Sequence, residues 1–171
     1  MNADELRARQ APCKERYRSE PASAIHTLRA RGHLGPDRPG CTVETPLGPI
    51  EAGLHPAAGG DGSAACAGDM LLQALVACAG VTLTAVATAL GIPLRGGSIE
   101  AEGDLDFRGT LGVDRTAPVG FTTIRLDYRL DTDADEAQQA KLIELTERYC
   151  VVYRTIRAGA PVTSTSRRVG G

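Results

Sequence analysis

The chain has 171 residues, of which 42% are hydrophobic, 23% charged and 4% aromatic, enough for one soluble domain with a buried core. Nineteen basic residues against 21 acidic ones leave a formal charge of −2, which excludes the basic footprint of nucleic-acid or anionic-membrane binding. Four Tyr, two Phe and no Trp provide no base-stacking platform, so the core must be assembled from Leu, Val, Ile and Ala.

Residues 4–20 mix Arg7, Arg9, Lys14, Arg16 and Arg18 with Asp4, Glu5, Glu15 and Glu20, broken by Pro12 and Pro21. This reads as an N-terminal arm or short surface helix over residues 1–23 with a solvated charged face. Near-alternation over 24–34 and again over 41–54 predicts two antiparallel strands, with Pro36, Pro39 and Gly40 between them and Leu47-Gly48-Pro49 as a turn. The loop from His55 to Ser63 leads into a long helix from about Gly68 to Leu90, which Gly91 and Pro93 terminate. No residue from Met70 to Leu90 is charged, a length that could span a bilayer. Its Ala content, the internal Gln73, Thr82, Thr84 and Thr88, and the lack of flanking Trp or Tyr favour a helix buried inside the protein, with a membrane span as the alternative.

Ile99, Ala101, Gly103, Leu105 and Phe107 alternate with Glu100, Glu102, Asp104, Asp106 and Arg108, the pattern of a strand with one wet face. Residues 109–120 form a turn-rich crossing, and Ile124, Leu126, Tyr128 and Leu130 mark a second strand over 121–130. Asp133 and Glu136 have capping-box spacing, and Leu142, Leu145, Tyr149 and Val152 share one face of a helix expected from about Ala134 to beyond Cys150. Residues 161–169 suggest a last strand. No repeat or internal boundary is visible, so residues 24–171 are read as a single α+β domain.

The five cysteines at 13, 41, 66, 78 and 150 are odd in number and lack C-x-x-C spacing, and the chain opens without a basic-then-apolar leader. A cytoplasmic protein without a structural disulfide framework is expected. G-x-S-x-G, G-x-x-x-x-G-K-[ST] and H-E-x-x-H are missing, and His26, His33 and His55 do not pair with Cys at metal-ligand spacing, so neither cofactor nor metal is expected. Cys78 and Cys150 each lie in a helical, apolar context. The plain reading is a small buried hydrophobe. The functional one is a working pair, if the two helices meet so that one thiolate attacks and the other thiol resolves.

The run from Ala67 to Cys78, with Asp69 ahead of Ala74-Leu75-Val76-Ala77-Cys78, resembles the first cysteine helix of the OsmC/Ohr family. The segment from Leu142 to Val152, ending Tyr149-Cys150-Val151-Val152, is similar to the family's second helix with its Cys-Pro-Val. The order of elements over about residues 24–169 agrees as well. The resemblance implies antiparallel sheets wrapped around long buried helices in an intertwined homodimer. It also implies a thiol peroxidase that reduces organic hydroperoxides, with a small apolar hydroperoxide as substrate and an external dithiol as reductant.

Carried over by residue, Cys78 is the attacking thiol and Cys150 the resolving one, which close a disulfide in each cycle. This chain departs from the pattern in three places. Gly68 stands where the family has a glutamate, with Asp69 next to it, and Val151 stands where the family has a proline. The family's activating arginine falls on Arg31, or second on Arg29. Cys78 lies mid-helix, too far from its own helix N-terminus to gain from it, so a nearby charge is expected to activate it. Two other readings are acyl or thioester chemistry by Cys78, with His55 or Asp69 as base or orienter, and a non-catalytic module that holds an apolar ligand.

Overall fold

The computed structural model describes residues 1–168. The arm is a helix, α1 (Ala3–Ser19), started by a capping box between Asn2 and Glu5, with acids in its first turn and Arg16 and Arg18 in its last. None of its residues is buried, but the partly covered Ala3, Leu6, Gln10 and Tyr17 recur at helical spacing where it lies against the long helix. The expected strand over 24–34 shrinks to β1 (Gly32–Leu34), the three residues that pair with the next strand, and a 3-10 turn covers residues 21–24. The expected second strand is a hairpin, β2 (Gly40–Val43) and β3 (Ile50–Gly53), folded at the Leu47-Gly48-Pro49 turn. β3 pairs in parallel with the short β4 (Ala65–Cys66), completing a sheet of order β1-β2-β3-β4.

β4 runs directly into α2 (Ala67–Leu90), which ends at Gly91 in the left-handed region at φ 68°. By length and composition α2 could cross a bilayer. Its stripe of Leu75, Ala79, Leu83 and Ala87 is buried instead, as in a core helix, while the opposite side stays open in the single chain.

The two alternating segments form a long antiparallel hairpin, β5 (Gly96–Leu105) and β6 (Phe121–Asp131), joined across the short helix α3 (Phe107–Thr110). Ile99 pairs with Tyr128 and Ala101 with Leu126 on the covered face. Arg125 bridges Glu102 and Asp104, and Arg129 meets Glu100, on the wet one. Such exposed pairs fix register more than they add stability.

α4 (Glu136–Tyr149) starts two residues later than its sequence suggests, capped by Asp135 and Gln138 rather than by Asp133 and Glu136. The cause is tertiary: Asp133 is held by Arg95, and the Thr132 hydroxyl donates to the Pro93 carbonyl at 2.7 Å. The buried face is also shifted. It consists of Leu142, Thr146 and Cys150, whereas Tyr149 is 58% exposed. Thr146 is tolerated in the core because its hydroxyl donates to the Leu142 carbonyl at 2.8 Å. The expected single helix breaks at Cys150, beyond which α5 (Val151–Ala158) follows. Leu83, Ala87, Ile92 and Leu142 form the centre of the core. No strand forms over residues 161–168, and Val169, the end of the strand expected there, lies outside the described residues.

Candidate active site

The break at Cys150 creates the site. With φ −70° and ψ 110° the residue is extended, so it closes one helix and opens another. Its N–H donates to the Thr146 carbonyl at 2.8 Å, ending α4, and its Sγ accepts the Tyr153 N–H at 3.5 Å, beginning α5. α5 then packs against α2. Cys78, half-buried midway along α2, which packs against α4 and α5, lies near enough to Cys150 for each thiol to shift the other.

The two thiols have opposite electrostatic settings. Burial pushes Cys78 up, but the N–H of Val152, the Cys150 thiol, the N–H of Val151 and the Thr82 hydroxyl together outweigh it and hold Cys78 below the ordinary thiol range. For Cys150, burial dominates, and the neighbouring Cys78 adds to it against the Tyr153 N–H, so its thiol is pushed up. Cys78 therefore does gain from a helix N-terminus, that of α5 rather than its own. Thr82, Val151 and Val152 were named in the sequence for other reasons, not as groups acting on Cys78. Only Thr82, one turn beyond Cys78, carried a signal that could have found it.

A second layer lies behind Cys150. The Tyr153 hydroxyl donates to Glu147 Oε2 at 2.9 Å and accepts from Arg157 Nη1 at 3.1 Å. The Tyr128 hydroxyl is buried with no partner among the described residues, and burial, then the charges of Glu147, Cys150 and Tyr153, push it up to about 12. A pocket of about 350 Å³ opens here, walled by Leu75, Ile124, Leu126 and Ile156 with Glu147 and Arg157 at its polar edge. The larger groove of about 570 Å³, between α2 and β5, is lined by Val76, Gly80 and Ile99, and neither cavity is lined by Cys78 or Cys150.

Within one chain the other expected site residues do not join the pair. Arg31 is exposed just ahead of β1, where its carbonyl accepts the Glu44 N–H at 3.0 Å, and Arg29 is exposed in the extended segment before it. Neither is among the groups that shift Cys78. Asp69 is exposed in the first turn of α2. Nine residues of helix set it about 13 Å from Cys78 along the axis and half a turn round. A side chain on Gly68 would meet the Phe121 ring at 3.5 Å, Cys66 Sγ at 3.6 Å and Leu105 at 3.7 Å, and neither Cys78 nor Cys150. His55 Nδ1 accepts the Ala57 N–H at 3.0 Å, and its ring stacks on Phe107. Cys13, Cys41 and Cys66 are unbridged. Among the described residues there is no group of three or more His, Cys, Asp or Glu that could hold a metal.

The profile of the family described as OsmC-like protein matches residues 60–165. No curated protein sequence matches. Among solved structures, an OsmC-like protein from Mycoplasma pneumoniae superposes with a TM-score of 0.65 at 18% identity, covering 78% of this chain and 89% of that one. An organic hydroperoxide resistance protein OsmC from Legionella pneumophila gives 0.60 at 19%, covering 78% and 90%. An organic hydroperoxide resistance protein from Elizabethkingia anophelis gives 0.58 at 14%, covering 79% and 91%. At these identities the likeness is one of fold.

Proposed function

The chain belongs to the OsmC-like protein family, and on that premise we propose that it is a thiol-dependent peroxidase that reduces organic hydroperoxides to alcohols. The observation that carries the reading is the unequal pair, Cys78 disposed to ionise and its neighbour Cys150 disposed to keep its proton. Two solved structures of the same fold are named organic hydroperoxide resistance proteins, which supports the substrate class.

In the proposed cycle the Cys78 thiolate attacks the terminal oxygen of the hydroperoxide and the O–O bond breaks. The alkoxide leaves, takes up a proton as the alcohol, and the sulfur is oxidised to a sulfenic acid. Cys150 then attacks that sulfur. An S–S bond forms, and hydroxide departs with the Cys150 proton as water. An external dithiol reopens the disulfide by two exchange steps and ends as a disulfide itself. The apolar walls of the pocket lined by Leu75, Ile124, Leu126 and Ile156 favour an alkyl hydroperoxide over hydrogen peroxide. The proposed setting is the cytoplasm, where thiols are kept reduced.

The assembly we propose is a homodimer, since the open apolar side of α2 borders Cys78. Arg31 and Asp69 enter this proposal only as groups that a second subunit would bring to the thiol. No observation favours acyl chemistry, because the available histidine is engaged in its own loop. A passive binding role leaves the unequal pair without a use.

The test is stoichiometric oxidation. One equivalent of an alkyl hydroperoxide should consume Cys78 and Cys150 together and leave Cys13, Cys41 and Cys66 titratable. A mapped Cys66–Cys78 disulfide would transfer the resolving role to Cys66, and no thiol loss at all would end the peroxidase reading.

A further inference from the structure

A hydrogen bond spans the break between α4 and α5. The Tyr153 hydroxyl donates to Glu147 Oε2 at 2.9 Å, although in a continuous α-helix two residues six apart stand about 9 Å apart along the axis and about a third of a turn round. The bond forms because Cys150, midway between them, is extended and lets α5 leave α4 at an angle. Tyr153 also grips Cys150 itself, since its backbone N–H donates to Cys150 Sγ at 3.5 Å. One residue thus holds both the sulfur and the angle of the chain on either side of it. One turn further along α5, Arg157 Nη1 donates to the Tyr153 hydroxyl at 3.1 Å and orients it.

Close packing alone does not fix that angle. The cavity of about 350 Å³ is lined by Ile124 and Leu126 of β6 and by Tyr153 and Ile156 of α5. α5 therefore has room to shift towards the hairpin, and directed bonds must supply the restraint that interdigitated side chains supply in a filled core. A resolving thiol needs that restraint, because a disulfide accepts only Cα separations of about 4.4 to 6.8 Å and a narrow range of dihedral angles. We propose that Tyr153 is a positioning residue for disulfide closure: its hydroxyl bond to Glu147 and its N–H bond to Cys150 together hold the resolving sulfur where it can close on Cys78. Tyr153 has this role only on the reading of Cys78 and Cys150 as a redox pair.

The test uses no hydroperoxide. Oxidised glutathione converts the two thiols to a disulfide and becomes two molecules of reduced glutathione. The equilibrium constant in glutathione buffers, read by mass analysis of alkylated protein, therefore measures how well the sulfurs are aligned. Tyr153→Phe keeps the ring and the N–H, loses the bond to Glu147, and should lower that constant about ten-fold. Glu147→Ala removes the same bond from its other end and should match it, and the two substitutions together should add nothing further. Glu147→Gln, whose amide oxygen still accepts, should stay within about two-fold of the unsubstituted protein. A bond that merely stabilised the fold would lower the urea midpoints of the dithiol and disulfide forms alike and leave the constant in place.

An unchanged constant in folded Tyr153→Phe or Glu147→Ala, additive effects in the double variant, or no Cys78–Cys150 disulfide in any glutathione buffer would overturn the inference. The expected changes in the constant, found together with no reduction of hydroperoxide, would sustain it and count against the peroxidase reading alone.

Discussion

Cys78 and Cys150 are neighbours with opposed settings: the first thiol is held below the ordinary thiol range, and the second, only 1% exposed, is pushed above it. The order follows from which sulfur the free N–H groups of α5 face and from the cost of charging two adjacent thiols. Alkylation should therefore show one thiol that reacts from below the ordinary thiol range and a second that resists into alkaline solution. Peptide mapping of iodoacetamide-treated protein across pH checks this, and a common midpoint for both cysteines would refute it. The stability linkages oppose each other. The depressed pKa of Cys78 supports folding above the unfolded thiol value and loses that support as pH falls through its folded value. The raised pKa of Cys150 supports folding below the unfolded value and loses that support as pH rises through its folded one. Stability should accordingly rise with pH towards the unfolded thiol value and fall beyond it, as urea titrations at several pH values would measure.

The two serine variants should fail differently. Cys78→Ser removes the attacking sulfur and should abolish hydroperoxide reduction. Cys150→Ser leaves Cys78 able to react once and then to accumulate as a sulfenic or over-oxidised species. Rapid-mixing kinetics with mass analysis should show a single turnover in Cys150→Ser. The hydroxyl placed in this apolar site costs about 1 to 3 kcal/mol of stability, so urea denaturation must establish that the variant is folded. Sustained thioester turnover by Cys150→Ser, lost in Cys78→Ser, would replace the peroxidase reading with acyl chemistry.

The hairpin of β5 and β6 was legible because alternation from Ile99 to Leu105 leaves one face for the core, although Phe107 and Arg108, read as its continuation, turn into α3. The end of α2 was legible because Gly91 adopts a positive φ. The break at Cys150 was not, since no glycine or proline marks it and Arg148-Tyr149-Cys150-Val151-Val152 has no local reason to stop a helix. What stops it is the docking of α5 across α2, a long-range effect. The start of α4 failed for a related reason. Asp133 and Asp135 both fit a capping pattern, and contacts from Arg95 and Pro93 decided between them. The activating group was sought among arginines because a sequence displays side-chain charge, whereas backbone N–H groups show no signature until the fold aims them.

Tyr128 gives a stability test independent of the thiols. Its hydroxyl is buried without a partner, and burial keeps it protonated well beyond neutral pH. A buried donor left unpaired carries its full desolvation penalty, on the order of 1 to 3 kcal/mol. Tyr128→Phe removes that group and keeps the ring on Ile99 across the hairpin, so the urea midpoint should rise, by about 1 kcal/mol of stability. A clear loss of stability would mean that the hydroxyl is paired in solution.

The last prediction concerns α2. One helical stripe, Leu75, Ala79, Leu83 and Ala87, is buried, but Leu71 is 41%, Val81 72% and Leu90 45% exposed, with Ala74 and Ala77 open between them. No charged residue interrupts the segment from Met70 to Leu90, so apart from the exposed Gln73 and Thr84 this side offers water only apolar groups. A second copy of the chain is the expected cover, since a two-fold axis matches an apolar face with itself. Val81→Asp would place a carboxylate in the middle of that contact, where an unpaired buried charge costs several kcal/mol. Light scattering at micromolar concentration should find a dimer for the unsubstituted protein and a shift towards monomer for Val81→Asp. Val81 is too exposed in the single chain for the substitution to disturb the core, so circular dichroism should remain that of a folded protein. A monodisperse monomer before substitution would remove both the dimer and the route by which Arg31 or Asp69 could approach Cys78.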